Sequence, residues 1–108
     1  MLTAAQVRRI ALALPEAEEK PHHGFPSFRV RDRIFATLPD AHHLNIMLSG
    51  DDALLASQHA SGACHALHWG QRLAGVQVEL ARAPRDIVAD LLREAWTQKA
   101  PKRLHPRR

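Results

Sequence analysis

The sequence has no tyrosine, one cysteine, two tryptophans and three phenylalanines in 108 residues. The lone Cys64 excludes an internal disulfide framework and fits a reducing, cytoplasmic compartment. No apolar run approaches the roughly 20 residues that a bilayer requires, so no membrane partner is expected. The opening MLTAAQVRRIALAL places both arginines inside its apolar run, which is not the order of a secretory signal. There is no GxGxxG and no P-loop lysine motif, and no cofactor is expected. The shortage of aromatics also removes the interleaved stacking residues of many nucleic-acid-binding sheets.

What is present is an ordinary globular composition, 45% hydrophobic and 24% charged, at the length of one domain. The net charge of +4 is unevenly spread. Residues 99–108, KAPKRLHPRR, hold Lys99, Lys102, Arg103, Arg107 and Arg108 with no acid. The remaining residues carry ten bases against eleven acids, a net charge of −1. The pattern therefore predicts a single domain over residues 1–98 and a flexible basic tail over 99–108.

Thr3 and Gln6 form a capping-box pair ahead of Val7, Ile10, Ala11 and Leu14, which predicts a helix over residues 3–14 ended by Pro15. The following PEAEEKPHHGFP, rich in proline and charge, is expected to be an irregular connector, with Glu16, Glu18 and Glu19 a solvated acidic run. From Pro26 the period becomes two. Phe28 and Val30 alternate with polar residues, and Ile34, Ala36 and Leu38 continue beyond Asp32, which predicts a hairpin. A three-residue loop over 31–33 puts Phe28 and Val30 on the face of Ile34, Ala36 and Leu38. A two-residue turn pairs Phe28 with Phe35 instead, and a slip of one residue flips every side chain.

A third strand carries Leu44, Ile46 and Leu48 inward. Ser49, Asp51 and Asp52 then open a short helix over 51–58. A short strand is expected near 67–69. Val76, Val78 and Leu80 alternate with Gln77 and Glu79 in the best-patterned strand of the chain. Pro84 suits the start of a last helix whose Ile87, Val88, Leu91, Leu92, Ala95 and Trp96 form one apolar stripe, with Trp96 in the core. The order is α-β-β-β-α-β-β-α, and strands with one apolar face require helices on that face. This is an α+β two-layer sandwich with an antiparallel sheet.

The segments ALALPEAEEKPHHGFPSFRVRDRIFATL, LNIML, HWG, VQVEL and AWTQKAPKRL resemble the MmcQ/YjbR family from about Val7 to Leu104. The resemblance is strongest in HHGFPSFRVRDRIFATL and AWTQKAPKRL. It implies a small bacterial protein with an α-β3-α-β2-α arrangement and the DNA-binding label often attached to that family. It brings no catalytic motif.

His22-His23 and His42-His43 should lie at one edge of the sheet, where converging imidazoles could take a metal. The spacing matches no metal motif, neighbouring strand residues point to opposite faces, and the ordinary reading is exposed loop histidines with no metal. Cys64 beside His65 and His68 could be an activated thiol, but no third orienting group is visible. No pair of carboxylates stands out as an acid/base dyad, and no enzymatic activity is expected. Trp69 either caps the sheet edge or lines a pocket with His68 and Arg72.

Two functions follow. The first is electrostatic, weakly specific DNA binding through Arg29, Arg31 and Arg33 on the hairpin with Lys99, Lys102, Arg103, Arg107 and Arg108 of the tail. The second is a protein- or small-ligand-binding module, a homodimer included, acting through the open sheet face. By alternation that face carries Asn45, Met47, Gln77 and Glu79, together with Arg29 and Phe35.

Overall fold

The capping box forms as the sequence predicts. The Thr3 hydroxyl accepts from the Gln6 amide at 3.2 Å, and Gln6 Oε1 accepts from the Thr3 amide at 2.9 Å. Two amides left without helical partners at the first turn are thereby satisfied. The computed structural model describes residues 2–59 and 62–105. Helix α1 spans Ala4–Leu12, with Ala13 as its C-cap. Strands β1 (Ala17–His22), β2 (Phe25–Val30), β3 (Arg33–Thr37) and β4 (His43–Met47) follow. Helix α2 (Gly50–His59), strands β5 (Cys64–Trp69) and β6 (Arg72–Glu79), and helix α3 (Arg85–Lys99) complete the order. The six strands make one antiparallel sheet in the order β1-β2-β3-β4-β6-β5.

The α+β class stands, with one strand more than the pattern predicts. The segment expected as a connector is the edge strand β1, paired along its length with β2. It shows no apolar alternation because most of its side chains are exposed. Its stabilisation comes from the ladder and from ion pairs, as with Glu19 on Arg8 at 2.6 Å and Glu16 on Arg31 at 2.9 Å. The acidic run is thus partly neutralised rather than simply solvated. Pro21 is tolerated in an edge strand, and charged side chains protect such an edge from further pairing.

The hairpin combines both registers left open by the sequence. Its turn has two residues, Arg31 and Asp32, with φ of 51° and 64°. Left-handed values at both central positions match the twist of the flanking strands. A bulge then intervenes, so that Phe28 faces Ala36 while Arg29 faces Ile34. Phe35 is the extra residue, and it is fully buried in the core rather than on the open face. Ile34, paired with Arg29, falls outside the core cluster.

Phe28, Ala36, Ile46 and Val76 form one cross-strand row on the covered face, and Leu44 pairs with Val78 beside it. They share a single core with Val7 and Ala11 of α1, Ala53 and Ala56 of α2, and Val88, Leu92 and Trp96 of α3. Helix α2 packs on β5 and β6, while α3 packs on β2, β3 and β4. Trp96 fixes the helical layer further, its Nε1 donating to the Pro15 carbonyl at 3.0 Å.

The other face is crossed by an unbroken polar row, Lys20, Ser27, Thr37, Asn45, Gln77 and His65, one residue from each strand. Met47 lies beyond this row opposite Gly75, but it is buried. The open face therefore lacks both the exposed phenylalanine and the exposed methionine expected of it. After α3, Lys102–Leu104 form a 3-10 turn, and Leu104 packs on the core. The chain thus stays on the body through His105, whose ring centre is 6.1 Å from that of Trp96.

Candidate nucleic-acid interface

Antiparallel order brings the Arg31-Asp32 turn, the Gly70-Gln71 turn and the end of β4 to one end of the sheet. The C-terminus of α3 meets them there. Arg33, the first residue of β3, donates from Nη1 to the Lys99 carbonyl at 3.1 Å. A cation is favourable at that point, because the last helical carbonyls lack amide partners and form the negative end of the helix dipole. Beside this contact lies an open cleft of about 670 Å³ whose lining includes Ser49, Gly50, Arg72, Gln98 and Lys99. Gln98 ties two walls together. Its Oε1 accepts from the Ser49 amide at 3.0 Å, and its Nε2 donates to Asp52 at 2.6 Å.

Among the described residues, Arg33, Arg72, Lys99, Lys102 and Arg103 have no carboxylate within 4.0 Å. Arg29 and Arg31 differ. Arg29 is largely covered, donating from Nε to Ser27 Oγ at 3.0 Å and meeting Asp32 at 3.3 Å. Asp32 also takes Lys20 at 3.1 Å, and the Lys20 bond, with the charges of Lys20 and Arg29, holds its carboxyl below the usual range. Arg31 pairs with Glu16. These two arginines hold the β2–β3 turn, and Arg31 ties it to Glu16, just ahead of β1. Arg107 and Arg108 lie outside the described residues.

Trp69 and Arg72 are cross-strand partners flanking the Gly70-Gln71 turn. Gly70 has φ of 63°, a value that suits glycine at the first central position of a hairpin turn. Trp69 is 58% exposed. His68 pairs with Leu73, and alternation points it to the opposite face from Trp69. Of the suggested trio, only Arg72 lines the cleft.

The paired histidines lie at the other end of the sheet but do not converge. With β2 and β3 between them, β1 and β4 are three strand spacings apart, about 14 Å. The His22 ring sits 4.3 Å from that of His23 and 5.7 Å from that of Phe25. Partial burial there, aided by the neighbouring His23 and Arg29 charges, lowers the His22 pKa. His43 Nδ1 lies 3.0 Å from Asp40, whose carboxyl also accepts from the His42 amide at 2.7 Å. That backbone bond and the His43 contact hold Asp40 below its ordinary pKa. His65 pairs with Glu79 at 3.2 Å and lowers its pKa by that bond. No group of three or more metal-ligating side chains forms among the described residues.

Cys64 faces the core opposite Val78, and burial pushes its thiol up. His65 points to the other face, so adjacency in sequence does not become a thiol–imidazole contact. Reasoning from the sequence missed the Arg33–Lys99 contact and the Gln98 bridge, which join residues 66 and 49 positions apart. Neither has a local signal. Among the described residues, no helix is long and apolar enough to cross a membrane.

The sequence has no significant match among curated proteins. The YjbR family model matches residues 12–98, from the end of α1 almost to the end of α3. A match over that much of the chain, covering every strand, shows that the chain belongs to the YjbR family.

Proposed function

We propose that this protein binds nucleic acid through phosphate contacts at the basic end of its sheet. The observation that carries the reading is the meeting of cations that lack acidic partners. Arg33 bonds to the Lys99 backbone, Arg72 and Lys99 line one cleft, and Lys102 and Arg103 follow on the next turn. Cations already paired with carboxylates have little left for a phosphate, whereas unpaired ones release counterions when they bind it. Arg107 and Arg108 add charge of the same sign to this segment. Arg29 and Arg31 serve the hairpin itself. Binding of this type follows backbone charge and has low sequence specificity.

A homodimer or small-ligand module acting through the open sheet face draws less support. Phe35 and Met47, its apolar anchors, are buried. The centre of that face is polar and has its own Gln77-to-Asn45 hydrogen bond at 2.9 Å.

The test is fluorescence anisotropy of labelled DNA, duplex and single-stranded, with the full chain. Five phosphate contacts imply a loss of affinity of roughly 100-fold or more between about 50 and 200 mM salt. Arg72→Gln with Lys99→Gln should weaken binding at low salt, whereas Arg31→Gln should not. Absence of binding to either DNA at low salt, or equal losses in both variants, would overturn the reading.

A further inference from the structure

We infer that Trp69 is a stacking platform for an unpaired base, so that the nucleic acid held at the basic end is single-stranded. This rests on the nucleic-acid reading above and names the form of ligand that the same site takes. Strand β5 alternates from Cys64 in the core, through His65 and Leu67 on the open face, to Trp69 on that same face. The bulge in this pair of strands leaves its extra residue, Ala74, on β6, so the alternation of β5 is undisturbed. Trp69 is therefore an indole at the corner of an uncovered sheet, 58% exposed. Among the described residues, no other aromatic ring packs against it.

An exposed indole loses little hydration by staying in water beside its own strand and gains a great deal by covering a flat apolar partner. The charge around it selects the partner. Arg72, which lacks a carboxylate partner among the described residues, stands directly across the hairpin from the ring, and it also lines the cleft that Lys99 lines. A phosphate on Arg72 and a base on the ring are the two halves of one nucleotide. Every base offers a face to an aromatic side chain, which makes such contacts tolerant of sequence. In a duplex the base faces are already stacked, and inserting an indole between them costs a few kcal/mol per step. Single strands present those faces without that cost.

The centre of the open face suits the same ligand. Gln77 and Asn45 bond to each other through one amide hydrogen, leaving the Gln77 oxygen and the Asn45 nitrogen without protein partners among the described residues. An acceptor and a donor side by side match the edge of an unpaired base. His65, four residues along β5 from Trp69, lies at the outer end of this polar row, about 13 Å away.

The experiment compares the full-length protein with Trp69→Ala and Trp69→Phe, using fluorescein-labelled oligo(dT) and a duplex of the same length at low salt. Trp69→Ala should weaken oligo(dT) binding roughly 5- to 150-fold, the range one stacked base contributes. Trp69→Phe should restore most of that loss, and duplex affinity should change less than about twofold. Oligo(dT) should also quench the intrinsic fluorescence of the wild type. Unchanged oligo(dT) affinity in Trp69→Ala, with duplex still bound, would overturn this inference and leave the phosphate reading intact. Equal losses on both ligands would overturn it as well. So would light scattering that shows a dimer dissolved by Trp69→Ala, since the ring would then cover a second copy. Failure of the wild type to bind any nucleic acid would overturn both readings together.

Discussion

Gly75→Ala tests how β4 and β6 are fitted together beneath the open face. Gly75 lies opposite Met47, and the Leu48 amide donates to the Ala74 carbonyl at 3.1 Å beside it. A methyl group built on Gly75 would fall on the Ile46 carbonyl, 2.9 Å from its carbon and 3.0 Å from the Leu48 amide nitrogen. Both obstacles are backbone, so no side chain can swing aside. Relief requires the strands to part. That sacrifices the neighbouring hydrogen bond, about 1 kcal/mol, and loosens the buried Ile46–Val76 pair. Together these place the loss at about 3–5 kcal/mol, the upper range for a single substitution. A domain of this size loses about 4 °C of Tm per kcal/mol, so Tm should fall by about 12 °C or more. Gly50→Ala is the control. Nothing lies within 4 Å of the added methyl group, and the residue opens α2, so the same change should be neutral or raise stability by up to about 1 kcal/mol. Thermal unfolding followed by circular dichroism reads both. A Gly75→Ala variant melting within about 3 °C of the parent would refute the packing argument.

Three further perturbations have definite signs. Asp32 has a lowered pKa, so its ion pairs stabilise the fold above the ordinary carboxylate range of about pH 4, and that contribution is lost as pH falls below it toward the depressed value. Asp32→Asn keeps a residue tolerant of the left-handed backbone and should flatten the fall in Tm between about pH 5 and 3; an unchanged profile contradicts this. Glu94 has the opposite sign, because burial, the Asp52 charge and a hydrogen bond with Asp52 all raise its pKa. Its ionisation destabilises the fold as pH rises past the ordinary value, so Glu94→Gln should raise Tm at pH 7.5 and lose that advantage below about pH 4; a gain equal at both pH values refutes the coupling. Cys64 should react slowly with a thiol probe in the native state and rapidly in denaturant, and rapid native labelling would contradict its burial.

Where one face of an element is buried, the chain spells out its structure. Thr3 and Gln6 announce α1, and Leu44, Ile46, Val76 and Val78 alternate because a core lies on one side of them. Strand β1 escapes that logic, since an edge strand on paired charges has no apolar period to display. Phe35 escapes it for a different reason. A bulge adds one residue and resets the alternation, and nothing in RIFATL marks the place. The basic end was legible as charge but not as a surface. Three arginines of similar appearance in RVRDR divide into two that hold the hairpin and one, Arg33, that reaches α3. That division depends on Glu16 and Lys99, which are distant in sequence. Trp69 was legible only as a choice between two roles, because exposure is a property of the folded neighbours.

The most direct measurement is the salt dependence of binding to single-stranded DNA, for the parent protein and for Arg72→Gln with Lys99→Gln. Each phosphate contact contributes about 0.7 to the slope of log K against log salt, so the double variant should be shallower by about 1.4. An unchanged slope, or the same flattening produced by Arg31→Gln, would mean that the cations gathered around Lys99 do not meet the phosphates.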